Sequence, residues 1–257
     1  MSSNTLRKLV LVPLALLALA LSACFPLDVE PGTPTLTPEP DPVPTISQGD
    51  DYYTVLGTAQ REYGDAGPEV FVCDLDELER AVCAYGELTG PAPRDEERGP
   101  LPDPAGWPTN DGERGNAEVS IPALDDVEGS KDTNGWFYNR SHMVADSLGG
   151  PEVPGNLVTG TRTQNVGTHQ EDGQYAGGMA YGEKMARDYL ASGQASTCPL
   201  YYAATPVYTG DELIPRTVLV DIQSCDKSID ERVEVSNTAN GWEIDYFDGS
   251  YAPASAG

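Results

Sequence analysis

Residues 135–145 read GWFYNRSHMVA, and fourteen residues after His142 the chain enters NLVTGTRTQNVG (156–167), followed by GGMAYGEKMARDYL (177–190). The first piece begins with the aromatic and β-branched content of a strand. The last has helical spacing over 179–190 and is closed by Ser192-Gly193. Within about fifty residues these pieces gather one of only two histidines, several neutral carboxamides, Arg140, Arg162 and the helical Glu183. The rest of the chain is read outward from this cluster.

Those residue types suit phosphodiester hydrolysis. A neutral imidazole takes a proton from water near pH 7. A hard oxygen ligand can hold a hydrated Mg²⁺, which keeps most of its waters and uses few protein ligands. A metal and an arginine can offset the charge that builds on the transition state and leaving oxygen. Taken alone, a His near an Asn is commonplace.

The order of the blocks says more. Asn139-Arg140-Ser141-His142, then Asn156-Leu157-Val158-Thr159-Gly160-Thr161-Arg162 with Asn165, then Gly178-Met179 and Glu183 form a spaced series. LDELERAVCAYG at Leu75, EERG at Glu96 and AGW ending at Trp107 precede it, and ATPVYTGDEL at Ala204 and GWEIDYFDG at Gly241 follow it. Across about 200 residues the chain resembles the DNA/RNA non-specific endonucleases of the ββα-metal (His-Me finger) superfamily, in the branch of streptococcal secreted DNases and DNA-entry nucleases. The resemblance implies an α+β fold in which a β-hairpin bearing His142 packs on a helix bearing Asn165, set in a mixed, largely antiparallel sheet with flanking helices. It also implies roles. His142 is the general base and Asn165 the direct protein ligand of one Mg²⁺ or Mn²⁺. Glu183 orients a metal-bound water, Arg140 supports the site beside His142, and Arg162 contacts phosphate. Asn156 fixes the loop or the His142 backbone. The substrate implied is DNA or RNA, cut with little sequence preference to 5′-phosphate products.

Two departures stand out. Asn139 replaces the commoner Asp, which implies altered pH dependence rather than loss of activity. Glu183 sits in YGEK instead of directly after an aromatic residue. With the acidic composition these departures leave one alternative, a catalytically impaired nuclease fold acting as a surface binding protein. His169, in a Gly- and acid-rich stretch, reads as a solvated loop residue. Tyr175 and Tyr181 read either as base-stacking rings or as rings buried against the sheet.

The N-terminus reads as an address. Arg7-Lys8 precedes the apolar run LVLVPLALLALALSA (9–23), interrupted by Pro13 and too short for a membrane span of about 20 residues. Leu21-Ser22-Ala23-Cys24 resembles a bacterial lipobox, so Cys24 is expected to carry lipid. Residues 24–49 contain seven prolines and no basic residue, an extended tether. The expected organisation is signal peptide 1–23, tether 24–49, nuclease domain 50–251 and tail 252–257. In this oxidising compartment Cys73, Cys83, Cys198 and Cys225 suggest two bridges, with three connectivities open. Local pairing, Cys73–Cys83 and Cys198–Cys225, is the expectation. A zinc site is disfavoured, since there is no C-x-x-C pair and only His142 and His169 could assist.

Within the globular part, helical spacing of Leu75, Leu78, Val82 and Tyr85 predicts a helix over 74–90 with a solvated acidic face. Residues 91–116 read as a long Gly/Pro-rich loop around Trp107. Four strand-like pieces, LYYAATPVYTG, LIPRTVLVDIQ, ERVEVS and GWEIDYF, follow Cys198. Helices and strands mix without βαβ alternation, which is the α+β class.

Formal charge is −26, which argues against holding nucleic acid through a broad basic face. The excess is uneven. Residues 24–130 carry 24 acidic against 5 basic residues, whereas 131–190 carry 7 against 5. The expectation is weak, metal-bridged engagement through a few arginines. Added Mg²⁺ should therefore restore DNA binding, measured by fluorescence anisotropy, much better than NaCl of equal ionic strength. Equal effects of the two salts would contradict it.

Overall fold

The computed structural model describes residues 51–64, 67–92, 100–108 and 115–255, all within one compact unit, Pro42–Gly257. The signal segment, Cys24, the tether and the EERG block lie outside the described residues. Among the described residues no helix is long and apolar enough to cross a membrane.

In chain order the strands begin with β1 (Tyr53–Gly57), β2 (Phe71–Val72), β3 (Ala84–Leu88), β4 (Glu118–Ile121), β5 (Thr133–Trp136), β6 (Tyr138–His142) and β7 (Leu157–Thr161). Then come α1 (Arg162–Val166), β8 (Gln170–Glu171), β9 (Gln174–Tyr175) and α2 (Met179–Ala191). The chain closes with β10 (Leu200–Val207), β11 (Thr217–Ser224), β12 (Asp230–Ser236), β13 (Trp242–Ile244) and β14 (Tyr251–Pro253). A six-stranded sheet in the order β1-β12-β11-β10-β3-β2, antiparallel throughout, forms the backbone of the α+β fold. The four strand-like pieces of the sequence supply β10, β11, β12 and β13, and the helix expected over 179–190 is α2.

Period-two alternation gives the sheet an apolar face. Leu200, Tyr202, Ala204, Val218, Val220, Ile222, Val233 and Val235 pack there with Met179, Ala186, Tyr189 and Leu190 of α2. The helix comes close because Gly182 has no side chain. A Cβ there would lie 2.9 Å from Ile222 Cδ1. The opposite face is more polar and is covered by the segment after β1. Gln60 N donates to Asp221 Oδ1 at 2.6 Å, Tyr63 Oη meets Thr205 Oγ1 at 2.7 Å, and the Arg61 guanidinium lies over Tyr201. A second core joins Ile121, Phe137, Tyr138, Ile214 and Tyr246, with Tyr251 stacked on Phe137 at 3.8 Å between ring centroids.

The helix expected over 74–90 is absent. Cys73 and Cys83 form one disulfide and Cys198 and Cys225 the other, each with Cα atoms 5.2 Å apart. A helix would separate Cys73 from Cys83 by about 15 Å, far beyond a disulfide's reach of about 4.4–6.8 Å. The segment between them is instead a turn organised by Asp76, whose carboxylate accepts from Leu78 N, Arg80 N and Arg80 Nε. Ala84–Leu88 then joins the sheet between β10 and β2. Leu75, Leu78 and Val82, whose helical spacing suggested the helix, are each nearly two-fifths exposed. The described parts of 91–116 contain no helix or strand, and β14 runs two residues past the boundary expected at 251.

The β6–β7 hairpin is bolted to the large sheet by Asn237, just after β12. Its buried side chain accepts from Thr161 N at 2.8 Å and donates to Thr159 O at 3.0 Å and Pro215 O at 2.9 Å. Removing the amide leaves those buried backbone groups without partners. Asn237→Ala should lower stability by about 3 kcal/mol in urea unfolding. A loss below about 0.5 kcal/mol would mean that the hairpin does not depend on this anchor.

Candidate active site

The hairpin runs directly into α1. Register pairs Asn139 with Gly160, Ser141 with Val158 and His142 with Leu157. Alternation therefore puts Asn139, Ser141 and Gly160 on one face. Helix α1 covers that face so closely that a Cβ on Gly160 would meet Gln164 Oε1 at 2.1 Å and Ser141 Cβ at 2.8 Å. Thr161 starts the helix, its side chain accepting from Gln164 N at 2.9 Å.

His142 is half-buried at the end of β6, and the chain on both sides of it is fixed. Ser141 Oγ donates to Asn165 Oδ1 at 3.0 Å, which ties the residue before His142 to the carboxamide on α1. After it, Met143 N donates to Asn156 O at 2.9 Å. The buried Asn156 side chain accepts from Val144 N and donates to Val144 O and Pro151 O, each at 3.0 Å. Asn139 Nδ2 is buried without a hydrogen-bond partner.

The arginines differ sharply. Arg140 turns to the preceding loop, pairing with Asp103 through Nε at 2.9 Å and lying 4.1 Å from the Trp107 ring centroid. Arg162 has no carboxylate partner among the described residues. Its Nη2 donates to Tyr175 Oη at 3.2 Å, and its Nε is buried without an acceptor. Arg61, Arg80, Arg187, Arg216 and Arg232 all form ion pairs with carboxylates. Arg162 and Asn165, three residues apart, share one face of α1. This arginine thus sits beside the candidate metal ligand.

Glu183 lies on α2, which packs against α1. Burial pushes its carboxyl up to about 7, while Arg187, 3.5 Å away, pulls the other way. The approach of α1 and α2 is set at their junction. Gly178 adopts φ +53°, and a Cβ there would lie 2.3 Å from Gln164 O. Gly178 N donates to Asp51 O at 2.7 Å.

The Asp51 carboxylate accepts from Thr168 N, Thr168 Oγ1 and His169 N and lies 2.7 Å from His169 Nδ1. His169 is consequently not a solvated loop residue. Its ring is held against a buried carboxylate, and its side chain is only 15% exposed. Tyr181 is likewise engaged, stacked on Tyr53 at 3.9 Å and donating to Glu231 at 2.9 Å, whereas Tyr175 is 37% exposed. Sequence reasoning missed Asp51, for which no local pattern exists. It also gave no role to Ser141 or Arg187, although the i,i+4 spacing of Glu183 and Arg187 is a readable signal.

Among the described residues no three His, Cys, Asp or Glu side chains cluster to enclose an ion. The donor set around Asn165 is one carboxamide oxygen, which keeps a second lone pair after accepting from Ser141. That fits a hydrated hard cation and does not fit an all-protein zinc cage.

A hairpin bearing histidine, running into a short helix whose carboxamide accepts from the residue before that histidine, is the geometry of a ββα phosphodiester hydrolase. The chain belongs to the DNA/RNA non-specific endonuclease family, whose profile matches residues 123–226. It is 32% identical over 247 residues to a deoxyribonuclease of Streptococcus dysgalactiae subsp. equisimilis, covering 79% of this chain and 73% of that protein. Among solved structures it is similar to the Sda1 nuclease with bound zinc ion, at 32% identity and TM-score 0.64, covering 82% of this chain and 99% of that one. NucA of Streptococcus agalactiae with magnesium bound shares the fold at 18% identity and TM-score 0.55, covering 77% and 84%.

Glu183 gives the site a testable pH signature. Between its ordinary value of 4.5 and its folded value of about 7, the native state binds a proton that the unfolded chain releases. Stability is therefore lost as pH rises through that window. In metal-free buffer, Glu183→Gln should gain stability on the order of 2 kcal/mol at pH 8 and nothing at pH 4.5. Thermal unfolding measures both, and an equal effect at the two pH values would contradict the assigned environment.

Proposed function

We propose that this protein is an exported nuclease, lipid-anchored through Cys24, that hydrolyses DNA, and RNA as well, with one Mg²⁺ or Mn²⁺ held by Asn165. The observation that carries the reading is the Ser141 Oγ–Asn165 Oδ1 hydrogen bond, which couples the residue before His142 to the candidate metal ligand at 3.0 Å. The zinc and magnesium in the Sda1 and NucA structures support a divalent ion, and a single carboxamide oxygen, which would leave the ion's other positions to water, favours Mg²⁺ over zinc.

His142, as neutral imidazole, accepts the proton of the water attacking phosphorus. Asn156 and Ser141 hold its backbone from either side, so that its direction is set before substrate arrives. Arg162, on the face of α1 that bears Asn165 and without a carboxylate partner among the described residues, offsets charge on the scissile phosphate. Glu183 orients water from α2, and Arg140, paired with Asp103, braces the strand beside His142. When bound, the divalent ion supplies positive charge at the phosphate and the leaving oxygen. Attack by water on phosphorus with departure of the 3′ oxygen leaves a 5′-phosphate and a 3′-hydroxyl. Cys24 and the Pro-rich tether would stand the domain away from an extracytoplasmic membrane face.

Plasmid degradation tests the roles. His142→Ala should keep the fold and lose about 10²–10⁴-fold in kcat. Removal of divalent ions by EDTA should abolish cutting, with recovery on adding Mg²⁺. Undiminished cutting by His142→Ala would refute the assignment of the base, and full activity in EDTA would refute the metal.

A further inference from the structure

We propose that Tyr175 is a stacking platform for an unstacked nucleobase next to the phosphate held by Arg162, and that the ring directs the site towards single-stranded segments. The inference rests on the nuclease reading above. The Arg162–Tyr175 pair combines a guanidinium that has no carboxylate partner among the described residues with an exposed ring. Tyr175 Oη accepts from Arg162 Nη2 at 3.2 Å, and the guanidinium lies 5.8 Å from the ring centroid. Tyr175 has no aromatic neighbour within stacking distance among the described residues and is 37% exposed.

The ring is also held in place, which limits the entropy lost when a base settles on it. It sits on the β8–β9 hairpin, where Tyr175 pairs with Gln170. The hairpin turns tightly through Asp172 (φ +50°) and Gly173 (φ +78°). Its base is pinned from below. Ala176 N donates to His169 O at 3.3 Å, and His169 N donates to the buried Asp51 carboxylate at 3.0 Å. On the other side Arg162 lies flat against Gly135, whose absent Cβ would be 3.4 Å from Arg162 Cδ and Nε.

Charge makes stacking the sensible contact. Duplex DNA presents one negative charge per about 1.7 Å of axis, twice the density of one strand, and a chain of formal charge −26 repels the duplex more. Base stacking on an aromatic ring adds affinity without a countercharge and needs only a base free of its neighbours. An edge-paired duplex offers no such base until it is opened.

Steady-state cleavage of a single-stranded oligonucleotide and of the same sequence as a duplex, in saturating Mg²⁺, tests this with the full chain and its Tyr175→Ala and Tyr175→Phe variants. Tyr175→Ala should raise KM on the single strand about ten-fold with kcat within about two-fold, and leave duplex KM nearly unchanged. Tyr175→Phe keeps the ring and should match the parent on both. An unchanged single-strand KM in Tyr175→Ala, or an equal loss on both substrates, would overturn the proposal. Loss in Tyr175→Phe as large as in Tyr175→Ala would also overturn it, because the hydroxyl would then be what matters. If the parent protein cuts neither substrate, the nuclease reading itself has failed. If it cuts both and the Tyr175 variants are indistinguishable from it, only the platform has.

Discussion

A single buried carboxylate, that of Asp51, holds together the parts from which the site is built. It is 1% exposed, and it receives the backbone and side chain of Thr168, the backbone N–H of His169 and the His169 ring. An unpaired carboxylate at that depth would be costly, and this density of donors is what makes its burial tolerable. The consequence is geometric. Asp51 precedes the edge strand β1, while Thr168, His169 and Gly178 lie in the connection from α1 to α2. One residue, through its carboxylate on Thr168 and His169 and its backbone carbonyl on Gly178, therefore fixes the helix that bears Asn165 and Arg162 relative to the helix that bears Glu183. Gly167 and Gly177 are required on the same grounds, since a Cβ on either would strike Asp51 Oδ2 at about 2 Å.

The other constraint is the pressing of α1 on the β6–β7 hairpin. Gly160 allows it, Ser141 and Asn165 join across it, and Asn237 ties the hairpin to β12 and the loop before β11. The polar groups here replace what hydrophobic packing would do elsewhere, with the gain that each bond fixes a direction. His142 is held between two such fixed points. Residues 131–190 carry 7 acidic against 5 basic residues, and Arg162 there has no carboxylate partner among the described residues.

Much of this was legible in the sequence where local pattern and tertiary role agree. The strand-like pieces after Cys198 are set apart by polar turns, and α2 has the 3.6-residue period and its closing Ser-Gly, so both were found. The segment 74–90 misled because its apolar spacing is helical while its two cysteines demand proximity. The covalent constraint wins, and the apolar residues are left partly exposed. His169 misled because its flanking glycines and acids look solvated. Its partner, Asp51, lies 118 residues earlier in sequence. The same holds for Arg140 and Arg162, alike as letters, the first paired with Asp103 and the second with its guanidinium bonded only to Tyr175 among the described residues. Pairing across the fold, rather than composition, separates them.

On the proposed function, one divalent ion would be held by the Asn165 carboxamide near His142. Electron paramagnetic resonance of Mn²⁺ titrated into metal-stripped protein counts bound ions directly. One site per chain is expected, displaced by Mg²⁺ and lost in Asn165→Ala while the fold persists by circular dichroism. Retention of that site in Asn165→Ala, with unchanged affinity, would contradict it.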